Sequence, residues 1–233
     1  AGMTFLRSAL FMVWFLLLTL VMAIIFLPLL AVPRKATVHM ARQWARASLW
    51  GLRVFAGIKE RQIGVVPRGG VLVASKHMSM WDTLALYLAL DDPGIVLKRE
   101  LLRIPFYGWY LGKAAAIPID RGAGADALRR MTHAAQRVLA EGRPILIFPE
   151  GTRKKPGAAP DYKPGVAGLY GLLGVACVPV ALDSGLYWQG FTKNPGTISL
   201  QFLEAIPPGL KRRDFMPLLQ QRIEAATNRL LGL

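Results

Sequence analysis

Gly70-Val71-Leu72-Val73-Ala74-Ser75-Lys76-His77-Met78-Ser79-Met80-Trp81-Asp82-Thr83 passes from an apolar strand to the mouth of a helix. The first part is β-rich and apolar and begins at glycines, as a short buried strand does. The part after Thr83, Leu84-Ala85-Leu86-Tyr87-Leu88, is an apolar helical run. His77 thus lies just past a strand and before a helix, where α/β proteins place their chemistry. An imidazole there suits a general base near neutral pH, and Asp82 is placed to fix its tautomer and steady the imidazolium. Ser79-Met80-Trp81-Asp82 also reads as a capping box, which by itself accounts for Asp82 but leaves His77 unexplained.

Outward from this stretch the chain alternates. Strands are expected over 70–75, 94–97, 115–119, 144–148, 177–182 and 197–203, and helices over 79–90, 99–112, 125–141, 165–174 and 211–231. Such alternation predicts an α/β fold with a largely parallel sheet flanked by helices. The last helix carries apolar positions at Phe215, Leu218, Leu219, Ile223, Ala226 and Leu230, the stripe of a surface helix closing the fold. Cys177, the single cysteine, falls in an apolar strand, which fits a buried thiol better than a nucleophile. One cysteine excludes an intrachain disulfide, and no Cys/His cluster points to zinc.

The amino-terminal quarter has a different texture. No charge occurs from Ser8 to Pro33. As a straight helix that run reaches roughly 39 Å at about 1.5 Å per residue, beyond a hydrocarbon core of about 30 Å. It is too long, and its leader too weakly charged, for a cleaved signal, so a retained anchor is expected. Spanning the bilayer and bending back near Pro28 both stay open. Arg34, Lys35, Arg42, Arg46 and Arg53 follow, interleaved with Trp44, Leu49, Trp50, Val54 and Phe55. That pattern predicts a cationic amphipathic helix on anionic headgroups, or one packed on the domain, and the two are compatible. The division expected is 1–57, anchor and interfacial helix, and 58–233, catalytic domain. The positive-inside tendency places that domain on the cytoplasmic side of the inner (cytoplasmic) membrane.

Composition agrees. The 233 residues suit one sizeable domain with an appendage, and Lys+Arg 29 against Asp+Glu 14 gives +15. Mean hydropathy is +0.35. A basic protein with a greasy end points to an anionic membrane. Nucleic acid is disfavoured, because no recognition helix, zinc finger or stacking platform is present. Phosphate-binding loops, nucleophile elbows and internal repeats are also missing.

Three further strand ends carry polar groups: Asp120-Arg121 after Ile119, Glu150-Gly151-Thr152-Arg153 after Pro149, and Asp183-Ser184-Gly185 after Leu182. The carboxyl ends of parallel strands share one edge, so these groups should converge with His77. Singly, each has a plainer reading: a surface arginine, a turn, and, for Pro179, an edge-strand proline.

Taken in order, the blocks His77–Asp82 (with Ser79 inside it), Ile117–Arg121, Phe148–Arg153 and Val178–Ala181 resemble those of the 1-acylglycerol-3-phosphate O-acyltransferase (PlsC-type) glycerolipid acyltransferases. The resemblance spans residues 77–181, and the amino-terminal anchor matches as well. It departs at Lys76, where asparagine is common, at Met78, where glutamine is common, at Pro118, usually aromatic, and at Lys154, often serine.

The resemblance implies that His77 takes the proton of a lysolipid hydroxyl as it attacks an acyl thioester, with Asp82 supporting the imidazole. It implies acceptor binding by Arg121, Glu150, Gly151, Thr152 and Arg153, with Ser79 and Pro179 also in the site. Guanidinium groups suit a phosphate. Backbone amides near Ser79 are candidate donors to the developing oxyanion. The apolar stretch from Ile104 to Leu111 suits an acyl-chain wall. No metal or bound cofactor is implied; acyl-CoA or acyl carrier protein is the co-substrate. The acceptor expected is lysophosphatidic acid, acylated at the sn-2 hydroxyl to phosphatidic acid. A lyso-ornithine lipid or another lysophospholipid is the alternative. A thioesterase and a non-catalytic membrane-binding module are the readings from other classes.

Overall fold

A computed structural model of the chain describes residues 2–114, 116–119 and 124–233. It is an α/β fold on a seven-stranded sheet. The chain opens with α1 (Gly2–Ile25), a tight 3-10 turn over Leu27–Ala31 and α2 (Arg34–Gly51), whose last turn widens into a π turn over Leu52–Ala56. The sheet strands are β1 (Ile58–Ile63), β2 (Leu72–Ser75), β3 (Gly94–Lys98), β4 (Ala116–Ile119), β5 (Ile145–Ile147), β6 (Cys177–Leu182) and, after a small hairpin of β7 (Trp188–Gln189) and β8 (Thr192–Lys193), β9 (Gly196–Phe202). The helices between and after them are α3 (Met80–Ala89), α4 (Tyr107–Ala114), α5 (Gly124–Ala140), α6 (Gly165–Leu173) and α7 (Arg212–Leu231).

Strand order is β1-β9-β6-β2-β5-β3-β4, and every pairing is parallel except β6 with β9. Both faces are covered, and the period-2 alternation of the strands shows it. Val73, Leu146, Val178 and Val180 point to one core with Phe11, Val38 and Leu86 from α1, α2 and α3. Leu72, Ala74, Ile145 and Cys177 point to the other, with Met131, Tyr170 and Phe215 from α5, α6 and α7. Cys177 is fully buried, and burial pushes its thiol up to about 12.

Three differences from the sequence reading have physical reasons. β1, Ile58-Lys59-Glu60-Arg61-Gln62-Ile63, was not expected, because it exposes charge along most of its length, the signature of a protected edge strand. The helix expected over 99–112 is broken. Pro105 disfavours helical backbone at Ile104, which is extended, and Phe106 follows at φ 62. A 3-10 turn over Arg99–Arg103 therefore precedes a separate α4. At Gly108 a Cβ would stand 2.3 Å from the Leu102 carbonyl oxygen, so the two pieces approach closely only because that residue is glycine. Finally, Pro179 lies in β6, inside the sheet. Its carbonyl accepts from Leu203 N–H at 2.9 Å on the β9 side, where regular pairing has stopped, so the missing proline donor is not needed.

α1 does not stand clear of the domain. Arg7 Nε donates to Phe55 O (3.0 Å), Trp14 Nε1 to Ala47 O (3.1 Å), Trp44 Nε1 to Thr19 Oγ1 (3.0 Å) and Tyr110 OH to Ala23 O (2.8 Å). Both ends of the helix are therefore tied down. Its opposite side, including Phe5, Leu10, Val13, Leu17 and Leu20, is exposed. α2 is divided in the same way. Arg34 pairs with Asp92 and Arg42 caps the carbonyls of Tyr87, Leu88 and Leu90, whereas Lys35, Arg46 and Arg53 face outward.

Candidate active site

β2 ends at Ser75, and the chain turns through His77 into α3. Ser79 takes extended backbone at the N-cap (φ −148°, ψ 175°), which makes Asp82 the third helical residue and returns its carboxylate over the turn. His77 Nδ1 lies 3.0 Å from Asp82 Oδ2, which also accepts from Met78 N–H (2.6 Å) and Ser79 N–H (2.9 Å). Asp82 Oδ1 accepts from the hydroxyls of Ser184 and Ser79. A fully buried carboxylate is thus surrounded by donors, as burial of charge requires. The capping-box and orienting roles of Asp82 coexist in one group.

The ring of His77 is 13% exposed and stacks on Phe148 at 4.0 Å between centroids. With Nδ1–H directed at the carboxylate, Nε2 carries the free lone pair. The loop after β5 holds the segment from behind, since Lys154 N–H donates to His77 O at 2.8 Å. His77 opens onto a groove of about 760 Å³, within the range of small-ligand sites. Ile95, Leu97, Leu101, Tyr107, Leu111 and Met131 give it an apolar wall. Gly151, Thr152 and Arg153 line it too, together with the cations Lys98 and Lys163. Gly151 has φ 64°, the left-handed turn that glycine permits. Burial raises the Tyr107 phenol, and the nearby Arg153 charge works against that rise.

The other expected residues are placed differently. Glu150 does not line this groove. It is buried, 3.0 Å from the equally buried Lys76 Nζ, which also pairs with Glu224 on α7 at 2.8 Å. That pairing also gives Lys76, the unusual residue before the histidine, a partner. Ser79 is buried with its hydroxyl on Asp82 and Ser184, so it steadies the carboxylate and does not face the groove. The amides of Met78 and Ser79, expected as oxyanion donors, are spent on Asp82. Pro179 is buried in β6 and shapes the strand beside β2. Arg121 and Asp120 lie outside the described residues. Ser184, from the strand-end group after β6, reaches Asp82 as the common sheet edge implied, although no role was assigned to it. Lys98 was legible only as a charge at the end of a strand. Among the described residues no cluster of His, Cys, Asp and Glu is arranged to hold a metal.

Residues 57–183 match the family model described as Acyltransferase. The 1-acyl-sn-glycerol-3-phosphate acyltransferase of Pseudomonas aeruginosa is 36% identical over 165 residues, 69% of this chain and 64% of its own length. The human 1-acyl-sn-glycerol-3-phosphate acyltransferase alpha is 28% identical over 228 residues, 94% of this chain and 78% of its own. The crystal structure of the 1-acyl-sn-glycerophosphate (LPA) acyltransferase PlsC from Thermotoga maritima superposes with a TM-score of 0.78 at 18% identity, covering 97% of each chain. At that identity the superposition speaks for the fold.

Proposed function

The chain belongs to the acyltransferase family, and from that premise we propose that it moves a fatty acyl group from an acyl thioester to the free sn-2 hydroxyl of lysophosphatidic acid, giving phosphatidic acid. One observation carries the reading: His77, with Nδ1 held by Asp82, opens onto a groove that is apolar on one wall and cationic at Lys98, Arg153 and Lys163. Relatives named for 1-acyl-sn-glycerol-3-phosphate support the choice of acceptor.

In this reaction His77 Nε2 takes the acceptor hydroxyl proton as the oxygen attacks the thioester carbonyl. Asp82 stabilises the imidazolium that forms. The tetrahedral intermediate collapses with loss of the thiolate, which takes from His77 the proton that came from the acceptor hydroxyl and leaves as thiol. The products are an ester and a free carrier, CoA or acyl carrier protein. The enzyme carries no acyl group itself, so no side-chain nucleophile is required. Arg153 and its neighbouring cations hold the phosphate, and the apolar wall holds the acyl chain.

The outer side of α1 belongs in lipid. Fixed to the domain along its length, the helix seats that side in one leaflet instead of crossing the bilayer, and the outward cations Lys35, Arg46 and Arg53 meet anionic headgroups. The working location is the cytoplasmic face of the inner membrane.

The test is acyl transfer to lysophosphatidic acid by detergent-purified protein, wild type beside His77→Ala, with the acyl thioesters of CoA and of acyl carrier protein as donors and products identified by mass. Phosphatidic acid from wild type alone is the expected result. Transfer to another lysolipid but not to lysophosphatidic acid would overturn the acceptor, and thioester loss without acyl lipid would overturn the reaction.

A further inference from the structure

Lys76 joins three distant parts of the chain in one junction, where Lys76 and Glu150 are buried and Glu224 is partly buried. It sits between β2 and the proposed base, its Nζ 3.0 Å from Glu150 Oε2 and 2.8 Å from Glu224 Oε1. Glu150 begins the loop whose next three residues line the groove, and Glu224 is on α7, 148 residues from Lys76. Tyr162 OH donates to the same Glu224 oxygen at 2.8 Å, and Asp161 N–H donates to Glu150 Oε1 at 3.2 Å. The loop leaving Glu150 therefore returns, through Asp161 and Tyr162, to the junction from which it started. Its middle is fixed to His77 itself by the Lys154 N–H···O bond.

A bare ion pair is a costly way to fill a core, because two charges lose their water and only good geometry offsets that loss. Here one ammonium faces two carboxylates, so the junction holds one more negative charge than positive. Apolar residues would fill that space more cheaply, and packing does not call for this arrangement. What it does supply is register: an ammonium with two fixed carboxylates sets the loop position relative to the strand that carries His77.

We infer that Lys76 and Glu224 are positioning residues for the acceptor site, acting through Glu150 to hold Gly151–Arg153 at a fixed distance from His77. α7, remote in sequence and outside the groove, thereby takes part in acceptor recognition. The inference rests on the proposed acyl transfer for its kinetic consequence, but not for its structural one.

The test uses the full chain in detergent with Glu224→Gln, which keeps the shape and the acceptor oxygen for Tyr162 while removing the charge. Gln221→Ala, an exposed change on the same helix, is the control. Two readouts are taken. Backbone hydrogen exchange over 150–163 should quicken in Glu224→Gln, with α3 and the sheet unchanged. The acceptor KM should rise about tenfold with the thioester KM and the pH profile of kcat unchanged, since displacement near a site acts on binding geometry. Lys76→Gln should be worse than the Lys76→Gln, Glu224→Gln double variant, because the single change leaves two carboxylates without their cation. Unchanged loop exchange in Glu224→Gln would overturn the inference, whatever the activity. Faster loop exchange with an unaltered acceptor KM would overturn it too, by reducing the junction to a support for the fold. If wild type acylates no lysolipid, the functional reading fails, and loop exchange alone decides whether the junction positions the loop.

Discussion

Ser184, on the turn after β6, donates a hydrogen bond to Asp82 Oδ1 across 102 residues of sequence. It is the contact by which the neighbouring strand end, that of β6 beside β2, reaches the His77–Asp82 pair. Ser184→Ala leaves Oδ1 with only the Ser79 hydroxyl at 3.3 Å. A buried carboxylate losing a hydroxyl donor costs roughly 1.5–3 kcal/mol, so a fall in Tm is expected. Turnover should drop about tenfold, the factor that about 1.4 kcal/mol represents, with acceptor KM unchanged. Steady-state kinetics beside a thermal melt checks both, and a full-speed variant would remove Ser184 from the site.

His77→Ala should lower turnover by about 10²–10⁴-fold, the usual reach of a general base, and leave the melt near wild type. Asp82→Ala should lose as much activity and also stability, since the buried amides of Met78 and Ser79 lose their acceptor at roughly 1–3 kcal/mol. Retention of more than a tenth of wild-type turnover by His77→Ala would contradict the assignment of the base.

Arg153→Ala should weaken acceptors that bear a phosphate and spare those that do not. Comparison of KM for lysophosphatidic acid with that for a phosphate-free lysolipid measures this directly. Equal losses on both would assign Arg153 to the loop's conformation instead.

Much of this was readable from sequence, for a physical reason. His77 and Asp82 are five residues apart, and a single helical turn brings them together, so local rules suffice. The buried strands announce themselves by apolar runs bounded by glycine or proline. Ser184 meets Asp82, and Lys76 meets Glu224, only through tertiary packing, and no local pattern marks a lysine that will be buried between two carboxylates. β1 escaped for the opposite reason: its exposed Lys59, Glu60 and Arg61 hide the strand that its pairing with β9 makes plain.

Lys193 sits buried where the β7–β8 hairpin meets α1, its ammonium on the carbonyls of Gly190 and Phe191 and 4.5 Å from the Trp188 ring. Burial pulls it from 10.5 down to about 8. Between those values the unfolded chain still holds the proton that the folded chain has released. The unfolded state then binds more protons, so stability rises with pH from about 8 to about 10.5, and below about 8 the cost of the buried charge stands in full. Lys193→Met removes this dependence. The Tm of wild type minus that of the variant, followed from pH 7 to 10.5, should increase, and a flat difference would contradict the burial of a charged amine.

Gly51 ends α2 against α1, and a Cβ there would stand 2.1 Å from Trp14 Cδ1. Ala is ordinarily better than Gly within a helix by roughly 0.5–1 kcal/mol. At Gly51 the sign should reverse, because the indole is fixed by its bond to Ala47 O and packed on Trp50 and Phe55. Gly51→Ala should lower Tm and open α1 to limited proteolysis; a stabilised variant would show that the helix pair has room to part.

The route by which the amino-terminal elements join the domain sets an order of events during synthesis. Ser8 accepts from the Lys193 amide 185 residues on, and β1 is laid beside β9, with Arg61 bonded to Ser199 138 residues later. Chains emerge amino terminus first. A strongly apolar helix therefore leaves the ribosome long before the strand and hairpin that will receive it exist. Its contacts with α2 can form early, but the part that meets the hairpin, Ser8 and Phe11 included, waits for Trp188 and Lys193 until late in translation. Closure of the sheet by β9 is then also the event that completes the seating of α1, so a truncation near residue 196 would leave both β1 and the Ser8 end of α1 without their partners.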